Sequence, residues 1–238
     1  MRAPIIAING LLLEKPKRRL AVDERYTEAI LDAGGLPLVL PPILSAAQVT
    51  AYLARVDGLL MTGGDDFDTE CLGLGPIHPE ADLTPADKQA SDLALTKAAL
   101  KAQIPVLGIC YGMQLMGLNA GAGFLQHLPE DRPEAGNHAG GVEHTVQVER
   151  GSKLEALVGL DPLPVISRHH QALAHVPAPW QVVARDPSGL IEAIEHPGMP
   201  FAIGVQWHPE LSPSTSPHGR LIEALCTASE AAACAPLS

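Results

Sequence analysis

The chain has 238 residues, with 16 Lys+Arg against 27 Asp+Glu for a formal net charge of −11. That length suits one large α/β domain, and 46% apolar against 18% charged residues excludes a disordered acidic segment. The negative balance argues against a general nucleic-acid or anionic-membrane binder, and an aromatic content of 3% argues against base-stacking platforms.

Residues 4–8 predict a strand; Asn9 and Gly10 interrupt the apolar run, and Lys15, Lys17, Arg18 and Arg19 follow where a signal peptide would be cleaved. Residues 23–33 predict a helix with Val22, Tyr26, Ile30 and Ala33 on one face, closed by Gly34-Gly35. A strand at 36–40, a helix capped by Ser45 and ending at 54, and a strand at 57–61 entering Gly63-Gly64 follow. Residues 65–84 have no periodicity and read as a long loop of the kind that tends to be functional. Thr84-Pro85 opens a helix to Lys101 with proline at its first position, then come a strand at 105–109 and a helix at 111–120.

Near-continuous apolar strands alternating with helices mean a parallel sheet covered on both faces. Further on, 144–148 alternates as an antiparallel strand, 181–185 and 190–194 form a hairpin, 201–207 is a strand and 218–228 a terminal helix. One domain over residues 1–230 with a frayed tail at 231–238 is expected. No stretch approaches the ~20 apolar residues of a membrane span. Four cysteines without a C-x-x-C spacing suggest reduced thiols, and with them a cytoplasmic protein.

The most informative stretch is Gly108-Ile109-Cys110-Tyr111-Gly112-Met113-Gln114. A buried strand ends, one residue sits on the turn, and a helix begins, with glycine two residues to either side. This is the thiol version of the nucleophile elbow, in which small flanking residues let the backbones approach. It places the Cys110 sulfur above the carboxyl edge of the sheet and at a helix N-terminus, a setting that lowers thiol pKa values. Cys71, Cys226 and Cys234 lack these features.

A nucleophilic cysteine needs a base, and the base needs an orienting group. His208 ends an apolar strand in Gly204-Val205-Gln206-Trp207-His208-Pro209-Glu210. Pro209 disfavours a helical His208, and residues two apart on extended chain share a side, so Glu210 is expected beside the ring. His169-His170 reads as a polar wall or a substrate-side donor and not as a metal site, because no second histidine at helical spacing or cysteine partner accompanies the pair.

Taken together, Gly108 to Gln114 and Trp207-His208-Pro209-Glu210 resemble the class I glutamine amidotransferase superfamily, and more closely its γ-glutamyl-γ-aminobutyrate hydrolase family, a peptidase C26-like group. Supporting segments include Met61-Thr62-Gly63-Gly64-Asp65-Asp66, Ser167-Arg168-His169-His170-Gln171-Ala172 and Gly189-Leu190-Ile191-Glu192-Ala193. The resemblance implies a flavodoxin-like, mostly parallel sheet with helices on both faces and a small antiparallel addition. It implies a triad of Cys110, His208 and Glu210. Three departures from the family pattern stand out: Ile166 in place of Asn, Ala122 in place of Gly, and Lys88-Gln89 in place of Arg-Asp with Asp92 at the usual acidic position.

The implied reaction is acyl transfer to water through a γ-glutamyl thioester, without cofactor or metal, on a small γ-glutamyl amide. The amides of Gly64 and Tyr111 would hold the oxyanion; Gln114 would reach the glutamyl group, and Arg168 and His170 are candidates for its α-carboxylate. Two alternatives stand beside it: a glutaminase subunit serving a separate synthetase chain, and a non-catalytic binding scaffold. A homodimer is left open.

Overall fold

The structure is a computed structural model that describes residues 2–42, 45–159 and 162–234. Its first half contains β1 (Ile5–Asn9), β2 (Leu11–Leu13), β3 (Arg19–Ala21), α1 (Glu24–Asp32), β4 (Leu36–Leu40), α2 (Ala46–Leu53), β5 (Gly58–Met61), α3 (Ala86–Lys101), β6 (Val106–Ile109) and α4 (Tyr111–Ala120). The second half adds β7 (Gly123–Leu125), α5 (Leu128–Asp131), β8 (Val142–Val148), α6 (Lys153–Val158), β9 (Leu163–Ser167) and β10 (Ala172–His175). The chain then forms β11 (Gln181–Arg185), β12 (Ile191–Glu195), β13 (Ala202–Val205) and α7 (Gly219–Cys234).

Among the described residues, nine strands form one sheet in the order β4-β1-β5-β6-β13-β12-β11-β8-β9. The first five are parallel neighbours. The other four extend the sheet with antiparallel pairings. Strands β5, β6 and β13 are buried at every position, which is why they read as unbroken apolar runs.

Alternation along β1 assigns the two faces. Ile6 and Ile8 pack with Tyr26 and Ile30 of α1 and with Leu221, Ile222 and Leu225 of α7. Ala7 faces the other way and joins Val49 of α2, Leu95 and Ala99 of α3, and Met113 and Met116 of α4. The sheet is therefore covered on both sides, as its apolar strands require.

Local signals hold in detail. The Asp23 carboxylate caps α1 by accepting from the Arg25 amide at 3.0 Å, and Gly34 stops the helix at φ 79°. Pro85 lies one place earlier than expected: it is the N-cap of α3, with φ −52° and ψ 135°, and not its first helical residue. The tail needs correction as well. Helix α7 runs on to Cys234 through an alanine-rich stretch with high helix propensity, and residues 235–238 lie outside the described residues. Among the described residues, no helix is long and apolar enough to cross a membrane.

At the carboxyl ends of the parallel strands, four segments meet: Asn9 at the end of β1, Thr62 to Gly64 after β5, Cys110 after β6 and Gln206 to His208 after β13. Open α/β sheets bind ligands at this edge.

Candidate active site

Cys110 sits between β6 and α4 with φ 52° and ψ −106°, a positive-φ conformation that a side-chain-bearing residue adopts at a strain cost. Its amide donates to Val205 O at 2.8 Å, and its carbonyl accepts the first helical bond from the Gln114 amide at 3.1 Å. Both glycines of the turn are sterically required. A Cβ on Gly112 would fall 2.2 Å from Met61 O, and one on Gly108 would fall 2.7 Å from the Gly112 backbone. Close packing of β5, β6 and α4 thus forces the bend that presents the thiol.

The side chain of Gln206 donates from Nε2 to Cys110 Sγ at 3.5 Å. Gln206 is itself held by Gln114, whose Nε2 donates to Gln206 Oε1 at 3.1 Å and to Gln171 O at 2.9 Å.

His208 Nδ1 donates to Glu210 Oε1 at 2.7 Å. The pairing is the expected one; the local chain is different. Pro209–Leu211 form a short 3-10 turn, so Glu210 folds back onto the ring and is not displayed along a strand. The other ring nitrogen, Nε2, is buried without a hydrogen-bond partner among the described residues. Burial pushes the His208 imidazole down, but the Cys110 sulfur and the Glu210 carboxylate beside it outweigh burial and hold it up at about 10.

The glycine turn completes one wall. A Cβ on Gly63 would lie 3.0 Å from His208 Cε1, and one on Gly64 would lie 3.1 Å from the Tyr111 ring. Gly63 donates its amide to Tyr26 Oη at 3.1 Å. The Gly64 amide meets no backbone acceptor among the described residues. The Tyr111 amide opens α4, where a helix leaves its first N–H groups without intrahelical acceptors.

Behind this wall lies a buried polar network. Asn9 Oδ1 accepts from the Thr62 amide at 2.8 Å, and Asn9 Nδ2 donates to Asp92 Oδ2 at 3.0 Å. Asp92 is paired with the buried Lys88, whose Nζ also stands 5.5 Å from the centre of the Tyr111 ring. Lys88, one of the departures from the family pattern, and Asp92 therefore brace Tyr111 and the glycine turn from below.

Tyr26, Gly63, Gly64, Cys110, Arg168, His208 and Glu210 line one pocket of about 270 Å³, together with Leu11, Val22, Asp23, Thr62, Asp65 and Leu211. Two expected substrate contacts are placed elsewhere. Gln114 is 3% exposed with its amide group committed to Gln171 and Gln206. His170 Nε2 bonds Asp66 Oδ1 at 2.8 Å, and its Nδ1 lies 3.3 Å from His127 Nδ1. Neither belongs to the pocket lining. Ile166 offers only its backbone, accepting from the His208 amide at 3.3 Å.

Sequence reasoning missed Tyr26 and Gln206. Tyr26 read as a core position on α1; its hydroxyl is what reaches the site, and burial, then the Glu210 charge, hold its pKa well above the ordinary value. A thiol, an imidazole and a carboxylate in sequence, beside free amide donors, form a set competent for acyl transfer.

The Peptidase C26 family profile matches residues 4–210, the span that holds all three of these side chains. The chain belongs to the Peptidase C26 family. It is a hydrolase acting on amide bonds. The γ-glutamyl-γ-aminobutyrate hydrolase of Escherichia coli O157:H7 is 34% identical over 214 residues, covering 84% of this chain and 83% of that one. A Mycobacterium tuberculosis protein provisionally named a glutamine amidotransferase is 38% identical over 191 residues, 79% of this chain but 61% of its own length. Among solved structures, a Thermoplasma acidophilum protein described as a candidate GMP synthase component superposes with a TM-score of 0.68 at 18% identity, covering 97% of this chain and 96% of that one. That likeness speaks for the flavodoxin-like fold.

Proposed function

We propose that this hydrolase cleaves the γ-glutamyl amide bond of a small γ-glutamyl compound, of the γ-glutamyl-γ-aminobutyrate kind, with Cys110 as nucleophile. One observation carries the reading. Cys110 stands at positive φ on a helix N-terminus, in the same pocket as a His208 ring whose far nitrogen is bonded to Glu210.

In this reading the Cys110 thiolate attacks the γ-carbonyl, and the amides of Gly64 and Tyr111 receive the oxyanion. Loss of one such donor typically costs about 10²–10³ in kcat. Protonated His208 gives its proton to the leaving amine as the tetrahedral intermediate collapses to a γ-glutamyl thioester. Water then attacks the thioester, His208 takes its proton, and glutamate leaves with Cys110 restored. Glu210 fixes the ring orientation and stabilises the imidazolium. Arg168, on the pocket wall, suits the α-carboxylate of the glutamyl group. The names of the Escherichia coli relatives support the substrate class.

A second reading, a glutaminase that serves a separate synthetase chain, is favoured by the names of the Mycobacterium relative and the Thermoplasma neighbour. Glutamate release from glutamine and from a panel of γ-glutamyl amides, with and without candidate synthetase chains, separates the two. Partner-independent turnover of γ-glutamyl amides is expected; hydrolysis of glutamine alone, and only with a partner, would overturn the first reading.

A further inference from the structure

Away from the candidate active site, four side chains converge in a way that hydrogen bonding does not explain. Glu192 on β12 is 0% exposed, and neither of its carboxylate oxygens has a hydrogen-bond partner among the described residues. Around its Oε1 stand His138 Nδ1 at 3.4 Å, His169 Nε2 at 3.6 Å and His144 Nε2 at 3.9 Å. The inward nitrogens of His138 and His169 are also without a partner among the described residues. A buried, donorless carboxylate is costly unless a cation compensates it.

The outward ring nitrogens decide what the imidazoles present. His138 Nε2 lies 3.1 Å from Ala135 O and 3.3 Å from Asp186 Oδ2. His169 Nδ1 lies 3.0 Å from Gln171 O, and His144 Nδ1 lies 3.2 Å from Thr145 O. Carbonyls and carboxylates only accept, so each outward nitrogen carries a proton, and a ring that bears only that proton aims a lone pair inward. Backbone carbonyls and a carboxylate on the far nitrogen are the usual supports of metal-bound histidine. Spacing agrees: metal–ligand bonds of about 2.0–2.1 Å in a tetrahedron give ligand–ligand edges of about 3.3–3.4 Å. The observed N···O distances are too long for good hydrogen bonds and match or slightly exceed those edges.

We propose that His138, His144 and Glu192, whose ligand atoms all lie within 4.8 Å of one another, bind one divalent transition-metal cation, zinc by the chemistry of its donors. Two imidazoles and one carboxylate suit zinc and leave a fourth position for water, with His169 Nε2 beside the site at 3.6 Å from Glu192 Oε1. The carboxylates of Glu192 and Asp186 together balance its two charges. His144, with its side chain 17% exposed, is the entry side. Its Nε2 also lies 2.6 Å from Ser167 Oγ, so metal entry exchanges that hydrogen bond for a coordinate bond.

The metal ties β8, β12 and the loop before β8 together. Arg168, which lines the active-site pocket, is followed by His169 beside the metal site, and the Glu192 carbonyl accepts from the Gln206 amide at 2.8 Å. The site thereby holds one pocket wall in place. Its individual histidines gave no local signal because the ligands come from three separate segments.

The test uses the full, untagged chain, exposed to zinc, gel-filtered and examined by elemental analysis. About one zinc per chain is expected, with a lower melting temperature after chelation and tetrahedral d–d absorption when cobalt(II) replaces zinc. Glu192→Gln and His144→Ala should each lose the metal. Asp186→Asn, which removes the charge that supports His138 and keeps an oxygen for the Leu190 amide, should weaken zinc binding about 10–100-fold. If Glu192→Gln fails to fold, the wild-type stoichiometry and cobalt spectrum still decide. A metal-free wild type with no cobalt bands and no thermal shift would overturn the proposal, leaving protons on the histidines to compensate Glu192. Metal kept by His144→Ala but lost on His127→Ala would also overturn it, in favour of the cluster of His78, His127 and Glu130.

Discussion

His208 and Glu210 meet at 2.7 Å across a 3-10 turn, so the orienting carboxylate is delivered by a tight bend of the chain and not by strand geometry. Pro209, the first residue of the turn, makes this bend short and stiff. The consequence is that the imidazole and its carboxylate move as one unit, and the ring keeps one orientation.

Replacing Glu210 by Gln keeps the size of the side chain and removes the charge. Turnover is expected to fall roughly 10²–10⁴-fold with little change in KM, because the loss is of the oriented imidazolium and not of substrate contacts. Steady-state kinetics on a γ-glutamyl amide check this, with the melting temperature as a control for folding. A loss below tenfold would remove Glu210 from the mechanism.

His208 carries a pKa raised from 6.5 to about 10, so it stays protonated through neutral pH. A pKa raised on folding contributes stability that is fully present below about 6.5 and disappears as pH rises through about 10. NMR of the ring should show no titration of His208 between pH 6 and 9 (roughly the window between its unfolded and folded values). In Cys110→Ala, which removes one of the two groups holding it up, the midpoint should move down.

Gly112→Ala tests the packing that creates the elbow. Its Cβ would meet Met61 O at 2.2 Å, a backbone atom that cannot swing aside. Overpacking of this kind costs about 1–3 kcal/mol, and urea unfolding should show at least that loss together with lower activity. An unchanged midpoint would mean that β5 and α4 can separate freely.

The buried pair of Lys88 and Asp92 gives an asymmetric prediction. Lys88→Met alone strands a carboxylate in the interior and should destabilise the fold by about 3–5 kcal/mol. Combining it with Asp92→Leu should recover much of that loss, because the two apolar side chains leave no unpaired charge. Chemical denaturation of the two variants distinguishes a charge effect from a packing effect, which would make the losses add.

The parallel half of the sheet was legible because its strands are buried on both faces and its helices carry local caps such as Asp23 and Ser45. The nucleophile turn was legible because strand end, turn and helix start fall within one short segment, with Gly108 and Gly112 on either side of Cys110. What the sequence concealed is non-local. Gln114, a polar residue one turn along α4, read as a substrate contact, but its amide group is consumed by Gln206 and Gln171 from distant segments. Tyr26 hides in an amphipathic helix face, and only the placement of α1 beside the glycine turn brings its hydroxyl to Gly63. Elements such as β7 and β10 are short and irregularly patterned, and they exist by pairing with each other.

Nucleophilic catalysis by Cys110 is tested by glutamate release from a γ-glutamyl amide by wild type and by Cys110→Ala, with acid-quenched peptide mass spectrometry on the wild-type reaction. Turnover by wild type, a γ-glutamyl adduct on the peptide containing Cys110, and loss of activity in the variant are expected. A Cys110→Ala protein that retains full hydrolytic activity would contradict the mechanism.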